Sequence, residues 1–287
     1  MTEAAVHPLV QAGKVTVVPG VYDVLSARMA HRAGFGVAVL TGYGVAASYL
    51  GEPDFGLLTQ TEILDTARRI LHRVPIGLVV DGDTGFGGPL NVQRMVRELI
   101  QMGASGVILE DQTWPKRCGH MRGKDVIDAE EHAAKIRAAV DARGDKPFVI
   151  TARTDAVMTH GLDEAIRRAK LYKDAGATVL FVEGPRTKEE ITRVGRELPP
   201  PLAINLIEGG DTPLFTVEEL HQLGFFSVGF VLSGLFAATH ALERTYRHIR
   251  THASTDAVRD QMMDFPQFVD LIGVQERYAD DEKYRVR

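Results

Sequence analysis

Four times along this chain a glycine closes a helix-like stretch and opens a short apolar run. Ala33-Gly34 leads into Phe35-Gly36-Val37-Ala38-Val39-Leu40, and Met102-Gly103 into Ala104-Ser105-Gly106-Val107-Ile108-Leu109. Ala175-Gly176 leads into Ala177-Thr178-Val179-Leu180-Phe181-Val182, and Leu223-Gly224 into Phe225-Phe226-Ser227-Val228. A glycine after a helix supplies the left-handed cap that other residues adopt only at a cost. Helical spacing precedes it: Val92, Met95, Val96, Leu99 and Met102 share one face ahead of Gly103, as Leu162, Ile166 and Ala169 do ahead of Gly176. The unit is therefore helix, glycine cap, buried parallel strand.

Further runs at Val15–Val18, Ile76–Val80, Phe148–Ile150 and Leu202–Ile204 bring the count to about eight strands, with helical patterns at Glu62–Arg73, Glu130–Ala142 and Val217–Gln222. Such alternation predicts an α/β fold, a closed (β/α)8 TIM-type barrel in one domain spanning 1–287. A doubly wound open sheet is the runner-up, but no G-x-G-x-x-G follows the first strand. From about 235 to 287 the chain reads as a C-terminal helical tail, longer than a barrel needs and expected to pack against another subunit.

Composition narrows the partners. Hydrophobic residues make up 45%, charged residues 25%, and the net charge is −5 with no basic block, so nucleic acid is not expected. The single cysteine, Cys118, excludes an internal disulfide framework and suits a reducing cytoplasm. MTEAAVHPLVQAGK lacks the pattern of a secretory signal, and the uncharged stretches Gly34–Gly51 and His221–Leu242 are too broken by polar residues and glycines for a membrane span. A cytoplasmic, membrane-free protein is the expectation.

In such a barrel, chemistry gathers where strands end. Seven residues beyond the capping glycines stand Thr41, Glu110 and Glu183; Asp81, Asp83, Arg153 and Asn205 occupy the matching ends of other strands. One acid after a strand is usually a helix cap; a set of acids, one arginine and one amide is more specific. With a period of two, Asp81 and Asp83 are expected to share a face, and with Glu110 alongside they repel unless a cation neutralises them. Oxygen donors suit Mg²⁺, or Mn²⁺, rather than zinc. An EF-hand fails, since Gly85 and Val92 fall on its ligand positions. Gly82, Gly85, Gly87 and Gly88 are read as letting backbone approach a small anion. The loop from Glu110 to Lys124, EDQTWPKRCGHMRGK, surrounds Cys118 with Lys116, Arg117, His120, Arg122 and Lys124. Those cations favour a usable thiol, and Gly119 and Gly123 favour a moving lid; a solvated basic loop is the bland alternative.

From VPGVYDVLSARMA through LTGYGVAASYLGEPDFG, VVDGDTGFGG, EDQTWPKRCGHMRGK, ITARTDA and FVEG to INLIEGGDTPLFT, the chain resembles the isocitrate lyase/phosphoenolpyruvate mutase superfamily, in its methylisocitrate lyase, dimethylmalate lyase and oxaloacetate decarboxylase branch. The resemblance implies a barrel whose last helix is swapped between subunits, a homotetramer built as a dimer of such dimers, and bound Mg²⁺. It implies Asp83 as the direct metal ligand, with Asp54, Asp81 and Glu110 around it. Thr41, Gly42, Tyr43, Arg153, Glu183 and Asn205 match substrate-binding positions. Lys116, Cys118 and His120 match the lid of the carbon–carbon lyases, whose cysteine protonates the departing enolate; with Arg153 they form the expected catalytic set. The implied activity is cleavage of a small 2-hydroxy di- or tricarboxylate of the 2-methylisocitrate or 2,3-dimethylmalate type. Oxaloacetate decarboxylase is the alternative, with a phosphoenolpyruvate- or carboxyphosphonoenolpyruvate-type phosphonomutase and a non-catalytic dicarboxylate-binding protein behind it.

Overall fold

The computed structural model describes residues 15–285 other than 120, 122, 211 and 214. Eight parallel strands close into a barrel in chain order: β1 Thr16–Val21, β2 Val37–Leu40, β3 Gly77–Asp81, β4 Gly106–Glu110, β5 Val149–Thr154, β6 Val179–Val182, β7 Leu202–Asn205 and β8 Phe225–Phe230. β8 closes on β1 through the pairs Thr16↔Ser227 to Pro19↔Phe230. The expected (β/α)8 architecture is the observed one. Gly34, Gly103, Gly176 and Gly224 all take positive φ, between 84° and 100°, so each of the four repeats turns from helix to strand through the left-handed region.

Alternation along the strands divides the residues between two cores. Ala38, Leu40, Leu78, Val80, Val107, Leu109, Ile150 and Leu180 are buried in the layer shared with the surrounding helices. Val39, Val79, Ile108, Val149, Thr151, Val179, Phe181 and Ala203 face the barrel interior instead. One more step of two along the interior series reaches Thr41, Asp81, Glu110, Arg153, Glu183 and Asn205. The rim residues are thus the top layer of the barrel's own filling, and their convergence follows from strand periodicity.

One expectation about this rim is corrected. β3 stops at Asp81, and Asp83 has φ +47°, so the two acids do not share a strand face. The chain turns between them, held by the Asp83 amide donating to Asp81 Oδ1 at 3.1 Å and the Gly82 amide donating to the Ile108 carbonyl at 2.8 Å. The glycine-rich segment is also used differently from the expectation. A Cβ on Gly82 would strike Val107 and the Ile108 carbonyl, one on Gly85 would strike Val92, and one on Gly87 would strike Asn91. These glycines admit packing and turns within the barrel wall, and none of the three lines the rim cavity.

Among the described residues the chain divides into two compact units, up to Leu235 and from Phe236 onward. The second consists of the remainder of the helix Ser233–His252, a 3-10 turn and two short helices, Phe265–Leu271 and Val274–Tyr284. Its only described residue of the buried class is Val258. No described helix is long and apolar enough to cross a membrane.

Candidate active site

A cavity of about 530 Å³, its mouth included, lies at the C-terminal end of the barrel. Asp54, Asp81, Glu110, Lys116, Arg117, Arg153 and Glu183 line it with charge, and Val39, Ile108, Phe181, Ile207, Val231 and Leu232 with apolar surface. Thr41, Tyr43, Cys118 and Asn205 complete the lining named by sequence. Gly42 and Asp83 stand behind it. The Gly42 amide donates to Asp81 Oδ2 at 3.1 Å, and a Cβ there would press on the carboxylates of both Asp81 and Asp83, so glycine lets the loop sit against the acids. Thr41 caps that loop by accepting from the Gly44 amide at 3.5 Å. His120 lies outside the described residues.

Lys116 returns from the loop after β4 into the middle of the acids. Its ammonium is 2.6 Å from Asp54 Oδ1 and 2.6 Å from Asp83 Oδ1, with all three side chains buried. Burial would lower its pKa, but Asp83, Glu110 and the other acids outweigh that and hold it well above the usual lysine value. One ammonium does not satisfy this cluster. Asp83 Oδ2 and Glu110 Oε1 are buried without a hydrogen bond, and burial, with Asp81 and Asp54 beside it, pushes Asp83 up to about 7 despite Lys116 on its Oδ1. Burial likewise raises Glu110 well above the carboxylate range, against the pull of Arg153.

Those orphaned oxygens are the test of whether a cation fits. Buried acceptors left unpaired cost stability and call for a ligand, an ion or water. Among the described residues no three His, Cys, Asp or Glu side chains form a direct cage. Mg²⁺, which keeps several of its waters and takes only one or two protein carboxylates, suits such a site; zinc does not. Asp83, with Asp54, Asp81 and Glu110 around it, would hold such an ion.

Arg153 stands among the acids of the rim. Glu110 pairs with it across β4 and β5, its Nη1 lies 3.4 Å from Glu110 Oε2 and 3.5 Å from Glu183 Oε2, and its ring neighbour is Phe181. Sequence reasoning missed what holds it. Asp155, fully buried, takes Arg153 Nε at 2.8 Å and Nη2 at 3.0 Å, and also Lys124 Nζ at 3.0 Å. Burial would raise the Asp155 carboxyl, but Arg153 and Lys124 hold it well below the usual range. A period-two step on from Arg153 at its strand end would have reached Asp155 in ITARTDA.

Cys118 faces this arginine from the loop. Its amide donates to the Asp54 carbonyl at 3.2 Å, and the next residue, Gly119, lies so close to Arg153 Nη2 and Glu183 that a Cβ would stand 2.6 Å from each. Burial, with Cys118 and Asp54 nearby, pushes the Tyr43 phenol up. The arrangement offers a cation site, a guanidinium and a thiol around one small volume, as carbon-acid chemistry on a carboxylate requires.

Known proteins resemble this chain along most of its length. The family model described as phosphoenolpyruvate phosphomutase matches residues 6–250. The chain is 47% identical over 284 residues to the petal death protein of Dianthus caryophyllus, covering 99% of this chain and 89% of that one. It is 40% identical to the 2,3-dimethylmalate lyase of Eubacterium barkeri, covering 96% and 95%. Among solved structures, an oxaloacetate acetylhydrolase in complex with 3,3-difluorooxalacetate superposes with a TM-score of 0.88 at 38% identity, over 94% of this chain and 92% of that one. A phosphonopyruvate hydrolase in complex with oxalate and Mg²⁺ gives 0.86 at 29% identity, over 96% of both. With that coverage, and with eight strands placing the matched residues on one rim, this chain belongs to the phosphoenolpyruvate phosphomutase family, within the isocitrate lyase/phosphoenolpyruvate mutase superfamily.

Proposed function

We propose that this enzyme is a Mg²⁺-dependent carbon–carbon lyase acting on a small 2-hydroxy dicarboxylate with short alkyl arms, of the 2,3-dimethylmalate type. The observation that carries the reading is Cys118 lining the same cavity as Arg153 and the under-satisfied acids. Similarity to a dimethylmalate lyase at 40% identity over nearly the whole chain supports it.

Bound Mg²⁺ supplies Lewis acidity, making the substrate's 2-hydroxyl easier to deprotonate and offsetting charge on its neighbouring carboxylate. The chain's own residues do the rest. The guanidinium of Arg153, rigid in the grip of Asp155, receives a substrate carboxylate and stabilises negative charge that grows as the C2–C3 bond breaks. Once the 2-hydroxyl has given its proton to an ionised carboxylate of the cavity, the electron pair of that bond stays with the C3 fragment as its enolate, and the 2-hydroxyl carbon becomes the oxo carbon of a 2-oxo acid. Cys118 Sγ gives its proton to the C3 carbon, while the loop over the cavity keeps solvent from that position.

The apolar wall decides the arm. Arg153 and Arg117 are the arginines lining the cavity, and Ile207, Phe181, Val231 and Leu232 give it apolar surface. Methyl groups fit that wall better than another anion. Purified protein with Mg²⁺ is expected to release a 2-oxo acid from 2,3-dimethylmalate faster than from 2-methylisocitrate or isocitrate. No release from any of these would end the lyase reading. Oxaloacetate decarboxylase is the second reading, favoured by the same arginine clamp and small cavity. Cys118→Ser separates the two: a lyase loses activity by about 10²- to 10⁴-fold, the range for a positioned proton donor, while a decarboxylase keeps most of it.

The helical tail supports assembly with further copies of this chain. The helix Ser233–His252 has no buried residue, and Phe236, Leu242, Tyr246, Ile249 and Phe265 are exposed. Leu242, Tyr246 and Ile249 follow the four-three spacing of a helix–helix seam. A homotetramer, formed from helix-exchanging dimers, is the assembly that covers such a surface; light scattering at micromolar concentration tests it, and a monomer counts against it.

A further inference from the structure

The loop carrying Cys118 is fastened at several points. At its base Gln112 bridges to Val126, the Thr113 amide donates to the Asp125 carbonyl, and Gln112 holds Arg117 through both of its amide atoms, at 2.8 and 2.9 Å. Those bonds shape the loop but do not attach its tip to the barrel. Lys124 does. Its ammonium donates to the Gly119 carbonyl and to Asp155 Oδ1, with 1% of its side chain exposed. Gly119 follows Cys118 directly and lies against Arg153 and Glu183. Asp155 is the carboxylate that grips Arg153.

We propose that Lys124 is a positioning residue for Cys118. It straps the Gly119 carbonyl to buried Asp155, so that one carboxylate fixes both the thiol-bearing segment and the anion clamp. A lysine suits this task because its compact ammonium serves a carbonyl and a carboxylate at once. Without the strap, the segment Lys116–Gly119 keeps its backbone bond to the Asp54 carbonyl and the Lys116 ion pairs, but Gly119 loses its tie to the barrel core. The thiol then samples solvent and spends less time over the cavity. Arg153 retains both of its bonds to Asp155, so substrate binding changes less than turnover. The effect on turnover rests on the lyase reading given above; the effect on the thiol does not.

Cys118 is the chain's single cysteine, so alkylation reads its exposure without interference. Lys124→Met in the full-length protein should raise the plateau rate of alkylation by iodoacetamide at high pH by about tenfold, and remove protection by oxalate with Mg²⁺. Using the plateau sets aside any change in thiol ionisation, which loss of a nearby cation would shift in the opposite sense. Lys124→Arg should restore the rate to within about threefold of the parent. In turnover, kcat should fall by about tenfold or more with KM within a few-fold. Lys124→Gln, which keeps a donor for Gly119 but not the ion pair, is the second variant should the methionine variant fail to fold; it should give an intermediate rate. A parental alkylation rate in either folded variant overturns the proposal. The expected alkylation pattern in a protein that cleaves none of the hydroxy acids would leave the strap standing and remove the lyase reading alone.

Discussion

Glu110 and Asp111 are consecutive residues, buried to a similar degree, and they belong to opposite kinds of acid cluster. Asp111 receives Thr154 Oγ1 and Tyr172 OH at 2.7 Å each, the Asp155 amide at 2.9 Å and Arg168 Nη1 at 3.2 Å. Asp155, beside it, is equally well provided by Arg153 and Lys124. Glu110 Oε1 and Asp83 Oδ2 have no hydrogen bond, and Asp83 Oδ1 meets an ammonium, that of Lys116, which it shares with Asp54. Buried acids that cost desolvation are tolerated when paired, so the first cluster is a brace. The second has more carboxylate than its lysine and arginine offset. A site left in that condition at the mouth of a cavity is arranged for a ligand the fold does not supply.

The contrast can be broken by mutation. Asp83→Ala should lower activity by about 10³-fold or more, the several kcal/mol a Lewis acid contributes to the barrier. The same variant, stripped of metal, should melt close to the parent, because the repulsion from Asp81 and Asp54 that it removes offsets the lost ion pair with Lys116, which keeps Asp54. Asp111→Ala should do the reverse. Loss of this acid leaves the Thr154 and Tyr172 hydroxyls without their acceptor, while Arg168 keeps Glu164 and the Ile127 carbonyl; the cost is about 1–3 kcal/mol of stability, read as a fall in the denaturant midpoint, while activity of the remaining folded enzyme at low temperature stays within a few-fold. If both variants behaved alike, the division between brace and site would be wrong.

Acidity sharpens the same contrast. Below the ordinary carboxylate value near 3.8, Asp83 carries its proton folded and unfolded alike; between there and about 7 the folded metal-free protein holds a proton the unfolded chain has released. Stability of the metal-free protein should therefore fall as pH rises through that window. Mg²⁺ competes for the same oxygens, so its affinity should drop by about tenfold per pH unit below 7, measured by calorimetry at fixed ionic strength. The Asp155 carboxyl is held low, so it titrates well below that window and should add nothing to it. The smallest effect belongs to the apolar wall. Ile207→Thr should shift the preference between a dicarboxylate and a tricarboxylate by about tenfold or less, read as a ratio of kcat/KM values.

Much of this was legible in the chain. Capping glycines announced helix-to-strand turns, and a count of seven from them brought Thr41, Glu110 and Glu183 to one rim, with Arg153 at the matching end of another strand. Period two failed at Asp83, because the strand ends two residues earlier and a left-handed residue re-aims the carboxylate. Periodicity describes an element only as far as the element runs. Lys116 in the acid cluster, and Arg168 and Tyr172 on Asp111, were out of reach for another reason. They are tertiary pairings, the last two made across 57 and 61 residues, and no local spacing encodes them. Asp155 lay within reach of the period-two step but reads as an ordinary turn former until its partners are seen.

The central claim is that the oxygens of Asp83 and Glu110 await a hard divalent cation. Titrating Mg²⁺ into the oxalate-saturated protein by calorimetry at pH 7.5 tests it directly. A saturable heat with a single ion per chain, absent in Asp83→Ala, is the predicted result; no uptake at millimolar Mg²⁺, or equal uptake by the variant, would contradict it.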